Sequence, residues 1–396
     1  MGLEILGGTV VGLYPPAVAI RPVFLGEGPY RRLDASGCLV LPGLVIAHTH
    51  LYSGLACGMP GPSGPTRSFR EILERVWWRL DAALAAASLQ AAAEAALLDA
   101  LLFGVTTVID HHESPSFIEG SLDVLFEAAQ SVGVRVVSCY GATDRHGSDG
   151  AKAGLAECGR ALAAGLPAMV GLHAGFTVSD ATIEEAARLA HSRGAWLHVH
   201  CAEAPEDAGS FARLDRAGAV GPRTLLAHGV HLSREERSRA AEAGAWIVHN
   251  PRSNSQNAVG YANVKTFGPL VALGTDGMDG DILAEARAAH LAGRAAYGPA
   301  GGIDAAALLA DNQRLADAVI GPRPDDWVVF DYDPSTPLTS GNLSGHLLFG
   351  VSARHVRDVV VGGELVVENR RPTRVDAAAV RSRAREEAAR LWGRMK

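Results

Sequence analysis

Residues 41–55 read LPGLVIAHTHLYSGL. This is an apolar run with the length of a buried strand, and it ends in two histidines, His48 and His50. Side chains two positions apart on a strand share a face. Leu44 and Ile46 are therefore expected on the face that carries His48 and His50. A single histidine in such a place commonly serves as a hydrogen-bonded core residue. Two at H-x-H spacing can each offer a ring nitrogen to one metal ion. The pair alone leaves both readings open.

Seven further apolar runs follow before residue 276: VTTVID, VRVVSCY, AMVGLH, WLHVHC, TLLAHG, WIVHN and VALGTD. Between them lie stretches of helical periodicity, such as SLDVLFEAAQSVG, TIEEAARLAHSRG and SREERSRAAEAG. Several close on glycine, the residue that most readily takes the left-handed conformation at a helix end. Eight strand–helix units predict an α/β fold, a (β/α)8 TIM barrel over residues 42–324. A doubly wound sheet is the alternative, but it rarely needs eight units. The flanks, residues 1–41 and 325–372, hold β-rich fragments (LEILGGTVVGL, DWVVFDY, VRDVVVGGELVVE) punctuated by glycine and proline. Neither flank is long enough for a core of its own, so the two are expected to pair into one small β-sandwich. Residues 373–396 predict a C-terminal helix, with Val380, Ala384, Ala388, Leu391 and Met395 at helical spacing. Its basic face reads as solvated surface.

The chain has 396 residues, 48% hydrophobic and 20% charged, enough to bury a sizeable core. A net charge of −7 gives no reason to expect nucleic acid or an anionic membrane as partner. Five cysteines without C-x-x-C spacing fit a reducing cytosol and speak against a disulfide framework or a structural zinc knuckle. The opening MGLEILGGTVVGLYPP lacks the basic and apolar regions of a signal peptide. Residues 82–103 are alanine-rich but carry Gln90, Glu94 and Asp99, which suits a helix of a soluble protein and not a membrane span. The expected location is the cytoplasm, and a homodimer is one assembly open to the chain.

In a barrel of this kind the active site lies at the C-terminal ends of the strands. His48 and His50 end the first run, and His173 ends the fourth. His198 and His200 lie on the fifth, with Glu203 three positions after His200. His228 ends the sixth, His249 the seventh, and Asp276 follows the eighth in LGTDG. Independent core histidines would not gather at successive strand ends. The set of motifs (H-x-H, H-x-x-E, AHGVHL, HNPRSN, GTDG) resembles the amidohydrolase superfamily, and within it the mononuclear-metal aminohydrolase, or deaminase, branch. The resemblance extends from about residue 41 to 276. A closer one is to the SsnA group of aminohydrolases, through HTHLYSGL, WWRLDAAL, VIDHHESPSFIEGSLDVL, GLHAGFTV, NPRSNSQNAVGY and LWGRM. That group is defined by sequence more securely than by substrate.

The resemblance implies that His48, His50, His200 and Asp276 hold one divalent ion per chain, Zn2+ first and Fe2+ as the alternative, with a position open for water. It implies that the ion lowers the water's pKa towards about 7. Asp276 would accept the proton, and Glu203 would protonate a ring nitrogen of the substrate while hydroxide attacks the adjacent carbon. His228 would stabilise the developing oxyanion. His173 is expected to touch the substrate. His249 could do so, or could anchor the NPRSN loop. His231 reads as a hydrogen-bond partner behind the site and His198 as a buried structural residue. In DHHE, Asp110, His111, His112 and Glu113 could line the pocket or form a polar turn. After the first strand, GMPGPSGPTRSF reads as a loop over the pocket. In the next helix Phe69, Ile72, Leu73, Val76, Trp77 and Leu80 form the expected buried stripe. Trp78 and Arg79 lie off it, either exposed or placed to stack on a planar ring and to pair with a carbonyl or carboxylate.

Binuclear members of the superfamily bridge two metals with a carboxylated lysine at the end of strand four. Here that strand ends in His173, and the three lysines, Lys152, Lys265 and Lys396, lie on no expected barrel strand. The chain departs from the family in the sandwich. AIRPVFLGEGPYRRLDASG lacks the usual apolar repeat around a turn glycine, so a trimmed, irregular sandwich is expected. The expected function is metal-dependent hydrolytic deamination of a cyclic amidine, such as an aminated purine, pterin, pyrimidine or triazine. The heterocycle and water would be the partners. Hydrolytic ring opening of an imidazolone-type cyclic amide is the alternative, because relatives with that chemistry keep the same ligands. A non-catalytic scaffold on this fold is the remote one.

Overall fold

Each of the eight apolar runs holds a parallel strand in the computed structural model, which describes residues 2–13 and 16–395. The strands are Leu44–Thr49, Val105–Asp110, Arg135–Val137 (resumed as Gly141–Ala142), Val170–Ala174, Leu197–Cys201, Thr224–His228, Trp246–His249 and Val271–Leu273. The first three form one sheet, and Gly141–Ala142 to Val271–Leu273 form a six-stranded second one. Within both, neighbours in space are neighbours in sequence. Two parallel bridges span the junctions, Ser138–Ala168 between the third and fourth runs and Thr49–Asp276 between the first strand and the turn after the last.

Helices cover these strands, which is why the strands read as unbroken Val/Ile/Leu runs with no polar alternation. Ser121–Val132, Asp180–Arg193 and Arg234–Ala243 are three of the helices, and each is followed by a glycine. Gly133, Gly194 and Gly244 take φ of 90°, 59° and 75° there, as expected from their positions. The start of SREERSRAAEAG is a capping box, Ser233 with Glu236.

One local expectation fails. Leu44 and Ile46 do not share a face with His48 and His50. They belong to the apolar cluster that also holds Leu197, Val199 and Cys201, which alternate with His198 and His200 on the fifth strand, whereas Ala47 belongs to the cluster that holds Val248 and Ala272 of other strands. The pairing with the second strand shifts register between Ile46 and Thr49. Such a bulge inserts a residue and inverts the alternation beyond it. The turn of phase lies just before His48.

The flanks meet in a seven-stranded sheet. Leu39–Pro42 from the N-terminal side lies between Thr9–Leu13 and Trp327–Phe330, the latter from the C-terminal side. The stretch AIRPVFLGEGPYRRLDASG contributes the short strands Val23–Leu25 and Tyr30–Asp34, which pair with Gly2–Leu6 in a separate three-stranded sheet. Leu3, Leu25, Val40, Val329 and Val360 share one apolar cluster drawn from both sheets. The C-terminal helix Ala377–Arg394 buries Val380, Ala384, Ala388 and Leu391, and Met395 beyond its end is buried with them. Its basic face is partly engaged. Arg381 and Arg383 pair with Asp99 and Glu94 of the helix Ala86–Leu102, and Trp392 Nε1 donates to the Leu55 carbonyl at 3.0 Å. Among the described residues no single helix is long and apolar enough to cross a membrane. Phe69–Ala82 and Ala86–Leu102 reach that length only together, across a bend of 111°.

Candidate metal centre and substrate cleft

At the C-terminal ends of the strands, His48, His50, His200 and Asp276 bring four ligand atoms within 4.8 Å of one another. His50 Nε2 lies 2.8 Å and His48 Nε2 3.4 Å from Asp276 Oδ1, and the Nε2 atoms of His50 and His200 are 3.2 Å apart. The opposite ring nitrogens are all engaged. His50 Nδ1 donates to the His111 carbonyl at 2.6 Å, and His200 Nδ1 donates to the His173 carbonyl. His48 Nδ1 meets His198 Nε2 at 2.9 Å. A carbonyl can only accept, so in the neutral rings of His50 and His200 the proton sits on Nδ1 and Nε2 is a bare donor atom. Three imidazole Nε2 atoms, available as ligands when their rings are neutral, and one carboxylate oxygen fit a divalent ion.

Two of the residues here depend on left-handed backbone. In the strand register Ala227, not His228, stands beside His200. Alternation would therefore send the His228 side chain away from the site. Its φ of 75° breaks the alternation, and its ring lies 5.5 Å from that of His200. Asp276 has φ of 51°. Such conformations are uncommon for residues with a Cβ and concentrate at functional sites. The short helix Pro251–Gln256 steadies both. Asn254 Oδ1 accepts from His228 Nδ1 at 2.8 Å, and the Ser253 hydroxyl donates to Asp276 Oδ2. Neither role was visible in the sequence beyond the motif HNPRSN itself.

Glu203 stands beside this cluster, its Oε2 3.7 Å from His228 Nε2. Glu203, His228 and Asp276 form a second set whose ligand atoms lie within 4.8 Å of one another. Burial, and then the charge of Asp276, pushes the Glu203 carboxyl well above the usual range, towards the protonated form. Burial lowers His48 to about 4. Burial also pulls His50 down, but the hydrogen bond and charge of Asp276 reverse this and hold it at about 9. A ring with that pKa is protonated at pH 7.5, and its Nε2 cannot hold a proton and a metal together. Metal affinity is therefore expected to rise by about tenfold per pH unit from 7 towards 9 and then level off. Calorimetric titration at pH 7.5 in buffers of different ionisation enthalpy should show about one proton released per ion bound. A pH-independent affinity with no proton released would contradict this.

A cleft of about 520 Å³ opens onto the cluster and is lined by Phe69, Leu73, Trp77, Trp78, Glu113, His173 and Phe176, besides His50, His200, Glu203 and Asp276. The two tryptophans are adjacent in sequence, yet both reach it. Leu73–Trp77 is a π turn, in which the Trp78 N–H bonds the Leu73 carbonyl, and the extra residue shifts the phase of the helix. Trp77 was expected only in the buried stripe. The guanidinium of Arg145 lies 4.4 Å from the centroid of the Trp78 ring, so this indole stacks on a cation of the protein itself.

Two sequence candidates are not brought to the cleft. Arg79 is exposed on the far side of its helix turn and does not line it. His249 is fully buried outside the lining, with its ring against Tyr261 at 5.2 Å. His231 bonds the Val259 carbonyl at 2.7 Å, and His198 is buried behind His48. Of the DHHE group, Asp110 accepts from the Leu51 N–H at 2.7 Å and His111 supplies the carbonyl that orients His50, while only Glu113 lines the cleft.

The profile of the amidohydrolase family matches residues 39–310. A 5-methylthioadenosine/S-adenosylhomocysteine deaminase of Natronomonas pharaonis is 29% identical over 394 residues, covering 92% of this chain and 89% of that protein. An 8-oxoguanine deaminase of Pseudomonas aeruginosa is 30% identical over 337 residues, covering 75% of this chain and 74% of that enzyme. The crystal structure of a zinc-bound adenosine deaminase from Xanthomonas campestris superposes with a TM-score of 0.83 at 22% identity, covering 98% of each chain. The profile spans the strands that carry every residue of the cluster, and on that ground the chain belongs to the amidohydrolase family.

Proposed function

We propose that this protein is a zinc-dependent aminohydrolase that removes an exocyclic amino group from a planar nitrogen heterocycle and replaces it by oxygen. The broader class, a hydrolase of carbon–nitrogen bonds other than peptide bonds, agrees with relatives that are themselves deaminases of purine compounds. The observation that carries the reading is the convergence of three imidazole nitrogens and the Asp276 carboxylate beside a buried Glu203 whose carboxyl is pushed well above its usual range.

His48, His50, His200 and Asp276 would hold the ion. When bound, it would supply positive charge at the reacting carbon and a water of lowered pKa. The chain's own residues would move the protons. Asp276 faces the ligand nitrogens with Oδ1 and has Ser253 on Oδ2, so it is held in place to accept a proton from the attacking water. Burial and the Asp276 charge favour the protonated form of Glu203, which would give its proton to a ring nitrogen next to the attacked carbon. His228 is held by Asn254 with Nε2 towards the same space, where, once Nε2 has taken up a proton, it would stabilise charge developing on the new oxygen. Phe69, Trp77 and Phe176 are flat apolar walls suited to a planar ring.

Zinc-loaded protein assayed against aminopurines, aminopterins, aminopyrimidines and aminotriazines is expected to release ammonia from at least one of them. If the panel stays silent while a cyclic amide is opened without ammonia, ring opening replaces deamination as the activity.

A further inference from the structure

The wall of the cleft that carries Glu113 holds charge that the chemistry above does not use. Glu113 Oε2 accepts from Arg145 Nη2 at 2.8 Å, and the same nitrogen lies 2.9 Å from Asp81 Oδ2. All three side chains are at least nine-tenths buried, with exposures of 9%, 3% and 1% for Arg145, Glu113 and Asp81. Two carboxylates around one guanidinium would leave a buried negative charge, which is costly. Burial and the neighbouring Glu113 charge push the Asp81 carboxyl well above its usual range. Burial raises Glu113 too, but the Arg145 guanidinium pulls it back down, and Asp81 is raised the further of the two. A carboxylate has about four lone-pair sites. Arg145 and Asp81 occupy only part of that capacity, and of the three residues Glu113 alone lines the cleft.

His173 stands next to it. Its Nδ1 lies 2.7 Å from Thr177 Oγ1, and that hydroxyl is 3.0 Å from the Ala174 carbonyl. The assignment that satisfies all three groups has Thr177 donating to the carbonyl and His173 Nδ1 donating to Thr177. His173 Nε2 is then a bare acceptor, 3.6 Å from Glu113 Oε2, too far for a hydrogen bond between them. Two acceptors side by side on the wall of a buried cleft call for a donor. The His173 ring is 5.5 Å from that of His200 and both line one cleft with Glu113, so this pair meets an edge of a bound heterocycle other than the one at the reacting carbon.

We propose that Glu113 determines substrate specificity: with His173 it accepts N–H hydrogen bonds from a second edge of the substrate, so that the protein takes heterocycles carrying a second N–H donor there, an amino group or a ring N–H. An amino group presents two hydrogens to two acceptors, whereas a hydroxyl has one. Arg145 and Asp81 are positioning residues that keep the carboxylate charged and in place. The inference rests on the deaminase reading above for which end of the ring meets the metal centre.

The test uses pairs that share one amino group and differ in a second: 2,6-diaminopurine with adenine, 2,4-diaminopyrimidine with 4-aminopyrimidine, and 2,4-diamino-1,3,5-triazine with 2-amino-1,3,5-triazine. Adenosine is added as a hydroxyl-bearing competitor. For zinc-loaded protein, kcat/KM for ammonia release and Kd by calorimetry are measured for wild type, Glu113→Gln and Glu113→Asp, with zinc content and Tm as checks. At least one pair is expected to show a preference of roughly tenfold or more for the member with the second donor. Glu113→Gln should erase most of it through KM, and Glu113→Asp, which keeps the charge but retracts it, should fall between. Equal treatment of every pair by wild type, a preference that survives Glu113→Gln in protein with normal zinc and Tm, or a Glu113-dependent preference for adenosine over adenine would overturn the proposal. Absence of binding by every compound would overturn it as well. Discrimination in Kd without any ammonia release would leave Glu113 in its role and remove the deaminase reading.

Discussion

Glu203→Gln is expected to lower turnover by at least about two orders of magnitude, the usual worth of a positioned general acid–base, while metal content and fold are retained. The side chain is buried and its carboxyl is held in the proton-bearing form, so the change removes a transferable proton and little else. Glutamine has nearly the same shape, and its carbonyl can still accept from Asn257, which lines the same cleft. The measurement is steady-state ammonia release alongside elemental analysis and thermal unfolding. Glu203 also belongs to the second set of metal-capable groups, with His228 and Asp276. Two ions per chain in the wild type, falling to one in the variant, would make Glu203 a ligand and would refute the proton-transfer role.

His200→Ala is expected to strip the metal. Wild-type protein purified without chelator should hold about one divalent ion per chain, and the variant about a tenth of that or less, with activity lost in proportion. No other residue of its strand can substitute. His198, the nearest imidazole on the same strand, lies one step deeper, and its Nε2 is engaged with His48 Nδ1. Cys201 faces outward into the apolar cluster around the strands, its thiol beside the Ser210 hydroxyl. The strand Leu197–Cys201 keeps its pairing on both sides, so the loss is expected to be local. A variant that keeps full occupancy would show that the ion is held elsewhere.

Much of this was legible because it is local. The strand period is 2, the helix period is 3.6, and the glycines that end helices act within one turn. Eight runs read as strands are eight strands, in chain order. The meeting of His48, His50, His200 and Asp276 followed from placing each at a strand end. Some local readings failed. Leu44 and Ile46 were assigned to the face of His48 by strict alternation, and the register shift before Thr49 reversed that. Trp77 and Trp78 were separated by a regular helical wheel, and the π turn through Leu73–Trp77 put both on the cleft.

The sequence by itself determined the strand and helix pattern, the strand ends at which the ligand residues sit, and the family resemblance those residues carry. Only the tertiary structure decided the orientation of His228, which leaves the strand with φ of 75°. Only it decided that Arg145 would join Asp81 and Glu113, residues 64 and 32 positions away in the chain. It also removed Arg79 and His249 from the cleft. The reason is physical. Pattern and propensity are short-range properties, set within a turn or a strand. A left-handed residue, a bulge or a buried ion pair is stable only when groups distant in sequence surround it, and those groups come together only when the chain has packed.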